Sequence, residues 1–188
     1  RGMSVERIVA IDPGSYAHGL VVVRLTGPDD GGNEIEYCNK AADWSDVQRE
    51  VRNLETDLRL GRAVLCCERV APGQSSWSLT YTSEFVGRVQ ELHDTLTAGH
   101  KSAEPLYLLT RREVLSLLRV SASGAKRDSM VRHTLIEMHG GDRRTAIGTK
   151  HNRGPLYGVS SHAWAALAVA VAARIKRREA HYQDTEQP

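Results

Sequence analysis

The strongest constraint on this chain is a change in hydrophobic period near residue 45. Before it, residues 8–11 and 19–25 are rich in Val and Ile and flank Asp12-Pro13-Gly14, so they read as two strands of a hairpin. The run Gly27-Pro28-Asp29-Asp30-Gly31-Gly32-Asn33 is a dense turn signal, and residues 34–39 alternate polar with apolar as a half-buried third strand does. After it, Val47, Val51, Leu54 and Leu58 follow the helical period, predicting a helix over 45–59 stopped by Gly61. From there strands and helices alternate. Residues 63–67 read as a buried strand and 105–109 as a fifth strand, separated by a loop over 70–78 and a helix running to about Ala98. Sequential strands form antiparallel meanders, whereas strands separated by helices add in parallel. The expected fold is α/β: a mixed five-stranded sheet with helices on both faces, forming one domain over residues 1–180.

The remaining elements are helical. Thr110-Arg111-Arg112-Glu113 is a capping box opening a short helix to Leu118. A turn at 121–124 leads to a helix ending near His139, where Gly140-Gly141 stops it. Residues 143–158 are polar and glycine-containing and predict a mobile loop. Ser160 or Ser161 then caps a long final helix to about Arg178, followed by a disordered tail over 181–188.

With 188 residues and 40% hydrophobic composition the chain can bury a core, and a net charge of +2 says little by itself. Distribution says more. Cations collect from Arg111 to Arg178 and acids between Asp29 and Glu68, so one face can meet phosphates, although solvated helix faces would look the same. Of three cysteines, Cys66 and Cys67 sit in an apolar run as small core residues; no disulfide or zinc spacing appears. The longest apolar run, 163–173, is too short for a bilayer, and no secretory signal is visible. A reducing, cytoplasmic setting with no membrane partner is expected.

Asp12 lies where the first strand enters a Pro-Gly turn, and Glu68 follows the strand at 63–67. If those strands are neighbours, the two carboxylates meet and repel unless a cation lies between them; oxygen ligands of this kind suit Mg²⁺ or Mn²⁺. Each residue alone has an ordinary explanation, as a turn former or a solvated strand end. His162, in the first turn of the final helix, reads as a third metal ligand or as a helix-end polar contact. One turn further on the same face is Ala165, which carries no chemistry. Trp77 and Tyr81, at the end of the 70–78 loop and the start of the next helix, either stack on unpaired bases or pack under the loop.

Three segments, Ile11-Asp12-Pro13-Gly14-Ser15, Cys67-Glu68-Arg69-Val70 and the stretch from His162 to Ala170, resemble in order the active-site segments of RuvC-type Holliday junction resolvases. A fourth, Thr110 to Val114 followed by Gly124-Ala125-Lys126 and Val131, is similar to the family's lysine-bearing stretch. The resemblance covers roughly residues 9–173 and implies an RNase H-like fold. It implies Asp12, Glu68 and His162 as ligands of two Mg²⁺ or Mn²⁺ ions, and Lys126 beside the scissile phosphate. Arg111, Arg112, Lys126 and Arg127 are expected on the DNA along with Trp77 and Tyr81. The implied activity is two-metal phosphodiester hydrolysis at four-way junctions by a homodimer, with the helix over 80–98 as the dimer contact through Phe85-Val86 and Leu92-Leu96. Ala165 departs from the pattern, standing where the family has a metal-binding aspartate; inactivation by replacement of that aspartate is the expected cause, the alternative being a natural alanine that packs a helix rich in alanine.

Three rivals remain at this point. Asp12-Pro13-Gly14-Ser15 also resembles the first phosphate loop of actin-like and sugar-kinase-like ATPases, but those need a second lobe that this chain lacks, so no nucleotide cofactor is expected. A DNA-binding module that has lost its chemistry is favoured by Ala165 and opposed by Asp12, Glu68 and Lys126. Another RNase H-like nuclease would prefer an RNA–DNA hybrid.

Overall fold

The computed structural model describes residues 7–14, 17–26, 33–69, 77–121 and 126–185. The glycine-rich turn at 27–32, most of the loop before the long third helix and the turn at 122–125 lie outside the described residues.

Five strands, β1 (Arg7–Asp12), β2 (His18–Leu25), β3 (Asn33–Ala42), β4 (Ala63–Arg69) and β5 (Tyr107–Thr110), form one sheet in the order β3-β2-β1-β4-β5. β1, β2 and β3 are antiparallel neighbours; β4 adds to β1 in parallel, and β5 to β4. This is the mixed sheet that the change of period predicts. Among the described residues seven helices accompany it: α1 (Trp44–Asn53), α2 (Glu55–Arg59), α3 (Trp77–Thr97), α4 (Arg111–Leu117), α5 (Arg127–Met138), α6 (Arg143–Ala146) and α7 (Ala163–Thr185).

Side chains alternate across a strand, so each strand feeds two cores. Ile8, Ala10, Val64 and Cys66 face α7, α4 and α5, while Val9, Ile11, Leu65 and Cys67 face α1, α2 and α3. Helix α7 is apolar around its whole first half because it is buried on all sides: Ala163 and the unbroken run from Ala166 to Ala170 are at most 1% exposed. Its many alanines let it lie close against the sheet. Gly19 admits the chain entering α7: a Cβ there would stand 2.3 Å from the carbonyl oxygen of His162.

Four expectations need correction. The helix over 45–59 is two helices, broken at Leu54 (φ −106°, ψ 12°); Asn53 is a weak helix former and Leu54 turns in against the α3-side core. The segment 143–158 is built rather than a mobile loop: it contains α6 and a Gly148–Arg153 bridge, its Ala146 and Leu156 are buried, and so is Val159 directly after it. The final helix does not stop near Arg178 with a disordered tail from 181; it continues to Thr185, since no Gly or Pro interrupts it before Pro188. Finally, Phe85, Leu92 and Leu96 offer no apolar surface to a second copy, because all three are buried in the core under α3.

Candidate functional site

Parallel pairing of β1 with β4 sets the site. Ile11 pairs with Cys67, so Asp12 and Glu68 follow side by side at the carboxyl ends of adjacent strands. Both continue the even-numbered face that packs against α7, so both side chains emerge beneath the start of that helix. They line a pocket of about 310 Å³ together with Arg111, Asp128, His162 and Ala165.

The turn after Asp12 is held from within. Gly14 donates its N–H to His18 Nδ1 at 3.3 Å, and a Cβ at Gly14 would stand 2.2 Å from the carbonyl oxygen of Ala17. The His18 ring stacks on Phe85 with centroids 3.7 Å apart. Burial pulls the His18 imidazole below its ordinary pKa, partly offset by Asp43, which suits a neutral ring accepting at Nδ1.

Burial dominates the electrostatics of the pair. Asp12 and Glu68 are only 17% and 16% exposed. Burial raises the pKa of Asp12, with Arg111 and His162 pulling the other way. Glu68 is pushed up from 4.5 to about 7, first by burial and then by the neighbouring Asp12 charge. The capping box of α4 opens that helix at the end of β5, beside β4, and so delivers Arg111 to the pocket. Arg111 donates from Nη1 to Glu68 Oε2 at 3.2 Å and from Nη2 to Asp128 Oδ1 at 2.5 Å. Burial disfavours its charge, but Glu68, Asp128 and Asp12 together hold the guanidinium above its ordinary pKa. Arg111 thus sets a guanidinium beside the carboxylate pair.

His162 is half exposed, its Nδ1 3.9 Å from Asp12 Oδ2. Ala165 lines the same pocket one turn along α7. Among the described residues no three His, Cys, Asp or Glu side chains gather closely enough to enclose an ion, so Asp12, Glu68 and His162 share a pocket without forming a closed cage. Lys126 is exposed immediately before α5, two residues from Asp128. Arg127 is half-buried and Arg112 exposed. Tyr81 is 56% exposed on α3; Trp77 begins that helix, and its side chain lies outside the described residues.

Sequence reasoning missed three residues of the site. Asp128 faces the pocket from α5, and no spacing announces it. Gly19 admits the His162 backbone, and its signal is a lone glycine in a Val-rich strand. Trp164, 9% exposed, closes the pocket wall with the Arg132 guanidinium 4.9 Å from its ring centroid.

No protein-family model matches the chain, and no curated protein matches it in sequence. Solved structures do match. A structure of Thermus thermophilus RuvC in complex with a Holliday junction substrate is 19% identical with a TM-score of 0.54, over 93% of this chain and 96% of that one. A second T. thermophilus RuvC structure gives 19% and 0.56 over the same shares. The yeast mitochondrial Holliday junction resolvase Ydc2 gives 14% and 0.54, over 98% of this chain and 86% of that one. The chain therefore has the RuvC-type, RNase H-like α/β fold that its sequence resemblance implies. Among the described residues no helix is long and apolar enough to cross a membrane.

Proposed function

From that fold, we propose that the chain is a divalent-cation-dependent endonuclease for branched DNA, with the four-way junction as its substrate. The observation that carries this reading is the Asp12–Glu68 pair: two largely buried carboxylates on adjacent parallel strands, opening into a pocket roomy enough for a phosphodiester. Burying two like charges together is costly, and folds retain such pairs where a cation or a proton is to be handled.

The donor set fits Mg²⁺ or Mn²⁺. Mg²⁺ is commonly held by one or two carboxylates plus substrate phosphate and water, without an all-protein cage. Asp12 and Glu68 would supply the carboxylates, and His162 a nitrogen at the rim. When bound, such cations lower the pKa of coordinated water and offset charge on the phosphate; two of them are expected. The protein's own groups do the rest. Arg111, itself bonded to Asp128, holds Glu68 while no cation is bound, the 8–11 and 63–67 strand backbones fix the separation of the two carboxylates, and Lys126 would meet developing negative charge. Because a four-way junction has two symmetric strands to cut, the working form would be a homodimer.

Ala165 favours a second reading, in which this chain binds junctions and does not cut them. It contributes no donor at a position where the resemblance has an aspartate. One experiment separates the readings: binding and cleavage of a four-way junction against linear duplex, in Mg²⁺ and in Mn²⁺, by the chain as it stands and by Ala165→Asp. Junction-selective binding by both, with cleavage restored by Ala165→Asp, is the expected result. Equal affinity for linear duplex and junction overturns the function.

A further inference from the structure

We propose that residues 143–157 form a prebuilt phosphate clamp that holds the backbone of a DNA arm leaving the pocket. This rests on the branched-DNA reading and adds a contact surface distinct from the carboxylate pocket.

The segment reads as a loop in sequence, but its backbone is extensively bonded. Asp142 caps α6, accepting from Arg144 N at 2.7 Å, Thr145 N at 3.0 Å and Thr145 Oγ1 at 2.8 Å. Beyond α6 the chain folds back on itself: Thr149 N donates to Asn152 O at 2.8 Å, Gly154 N to Ile147 O at 3.0 Å and Leu156 N to Ala146 O at 2.8 Å. Gly154 is required for this return, since a Cβ there would stand 2.3 Å from Thr145 O. Buried Ala146, Leu156 and Val159 anchor both limbs in the core that α7 shares.

What this scaffold displays is almost entirely positive. Residues 143–153 carry Arg143, Arg144, Lys150, His151 and Arg153, all exposed. The four cations make no salt bridge among the described residues. Asp142, the one acid of the sequence between residues 140 and 158, is committed to the helix cap, and those hydrogen bonds hold its pKa below the ordinary range. Arg153 is braced over the Tyr157 ring at 4.9 Å. A merely solvated face mixes signs, as the α1 surface does where Arg49 pairs with Asp46 and Glu50. A rigid, single-sign display gains by meeting a polyanion, because its backbone entropy is already spent. The segment leads through residues 158–160 into Ser161 and His162, which line the pocket, so the cations sit on the stretch of chain that enters the site.

The test uses the full chain and the triple variant Arg144→Gln/Lys150→Gln/Arg153→Gln, none of which touches the pocket. Affinity for a long-armed four-way junction is measured across salt concentrations. Each lost phosphate contact lowers the slope of log K against log[salt] by about 0.9, so the triple variant should lose about 2–3 in slope. The double variant Arg144→Gln/Lys150→Gln keeps the Arg153–Tyr157 brace and should lose about 2. Junctions with arms cut back should show no difference between the parent and either variant. An unchanged slope in both variants, with unchanged melting temperatures, overturns the clamp. The same slope loss on short-armed junctions also overturns it, by placing the contact at the crossover. Failure of the parent to prefer junction over duplex is a separate result, which sinks the branched-DNA reading alone.

Discussion

Replacing Glu68 by Gln should remove most of the pH dependence of stability that the pocket creates. The Glu68 carboxyl is pushed from its ordinary 4.5 up to about 7, first by burial and then by Asp12. The folded state therefore holds the proton more tightly than the unfolded state. Stability from this group is fully present below pH 4.5 and is lost as pH rises to about 7. At about 1.4 kcal/mol per pH unit, the loss by pH 8 is about 3 kcal/mol. It belongs to the Asp12–Glu68 pair, since the two titrate together. For a protein of this length 1 kcal/mol moves the melting temperature by about 2–4 °C, so the expected drop is about 6–12 °C. Glu68→Gln mimics the protonated carboxyl and still offers Arg111 an oxygen. Its melting temperature should match the parent's only below pH 4.5, the gap opening as pH rises and reaching that margin at pH 8. Thermal melts of both proteins from pH 5 to 8.5, without divalent metal, read the difference directly. Parallel curves across that range would show that the pair is not coupled to folding, and the electrostatic reading of the pocket would fail with it. On the proposed function, Mn²⁺ should close the gap at pH 8 by stabilising the parent alone.

Further outcomes follow from the same geometry. Asp12→Asn in an Ala165→Asp background should abolish metal-dependent cleavage with junction affinity nearly unchanged; undiminished cleavage in a gel assay would remove Asp12 from the chemistry. Gly19→Ala places a Cβ 2.3 Å from His162 O, so it should cost about 1–3 kcal/mol or more in urea melts, with His162 displaced. Leu156→Ala, at a fully buried site, should cost about 2–5 kcal/mol; a loss under 1 kcal/mol by the same melts would mean that residues 143–158 are loosely attached after all. Trp77→Ala should weaken binding to junction more than to duplex if the ring stacks on bases, at about 1–3 kcal/mol per base; equal losses with a lowered melting temperature favour a core role.

The legible parts of this chain were those set by local period and short motifs. The meander, the parallel additions, the α4 capping box and the Asp12–Glu68 meeting all follow from residues near each other in sequence or from one inference about strand neighbours. What escaped depends on contacts between distant segments. Polar residues 143–158 look like a loop because only two of them, Ala146 and Leu156, are buried, ten residues apart with no period between them. Phe85, Leu92 and Leu96 look available to a partner because a helical stripe does not say which neighbour covers it. Arg111 is the instructive case. Sequence puts it among the cations of the second half, as an expected DNA contact, yet the fold turns it inward onto Glu68 and Asp128. That position has a consequence for the proposed chemistry. A guanidinium already bonded to Glu68 competes with any divalent cation for the same oxygen, so cation binding must displace it or share Glu68 with it. Arg111→Gln should then tighten Mn²⁺ binding in calorimetry while lowering apo stability above pH 7, where Glu68 is ionised and left facing Asp12. Weaker Mn²⁺ binding in that variant would mean that Arg111 orients Glu68 for the cation rather than competing with it.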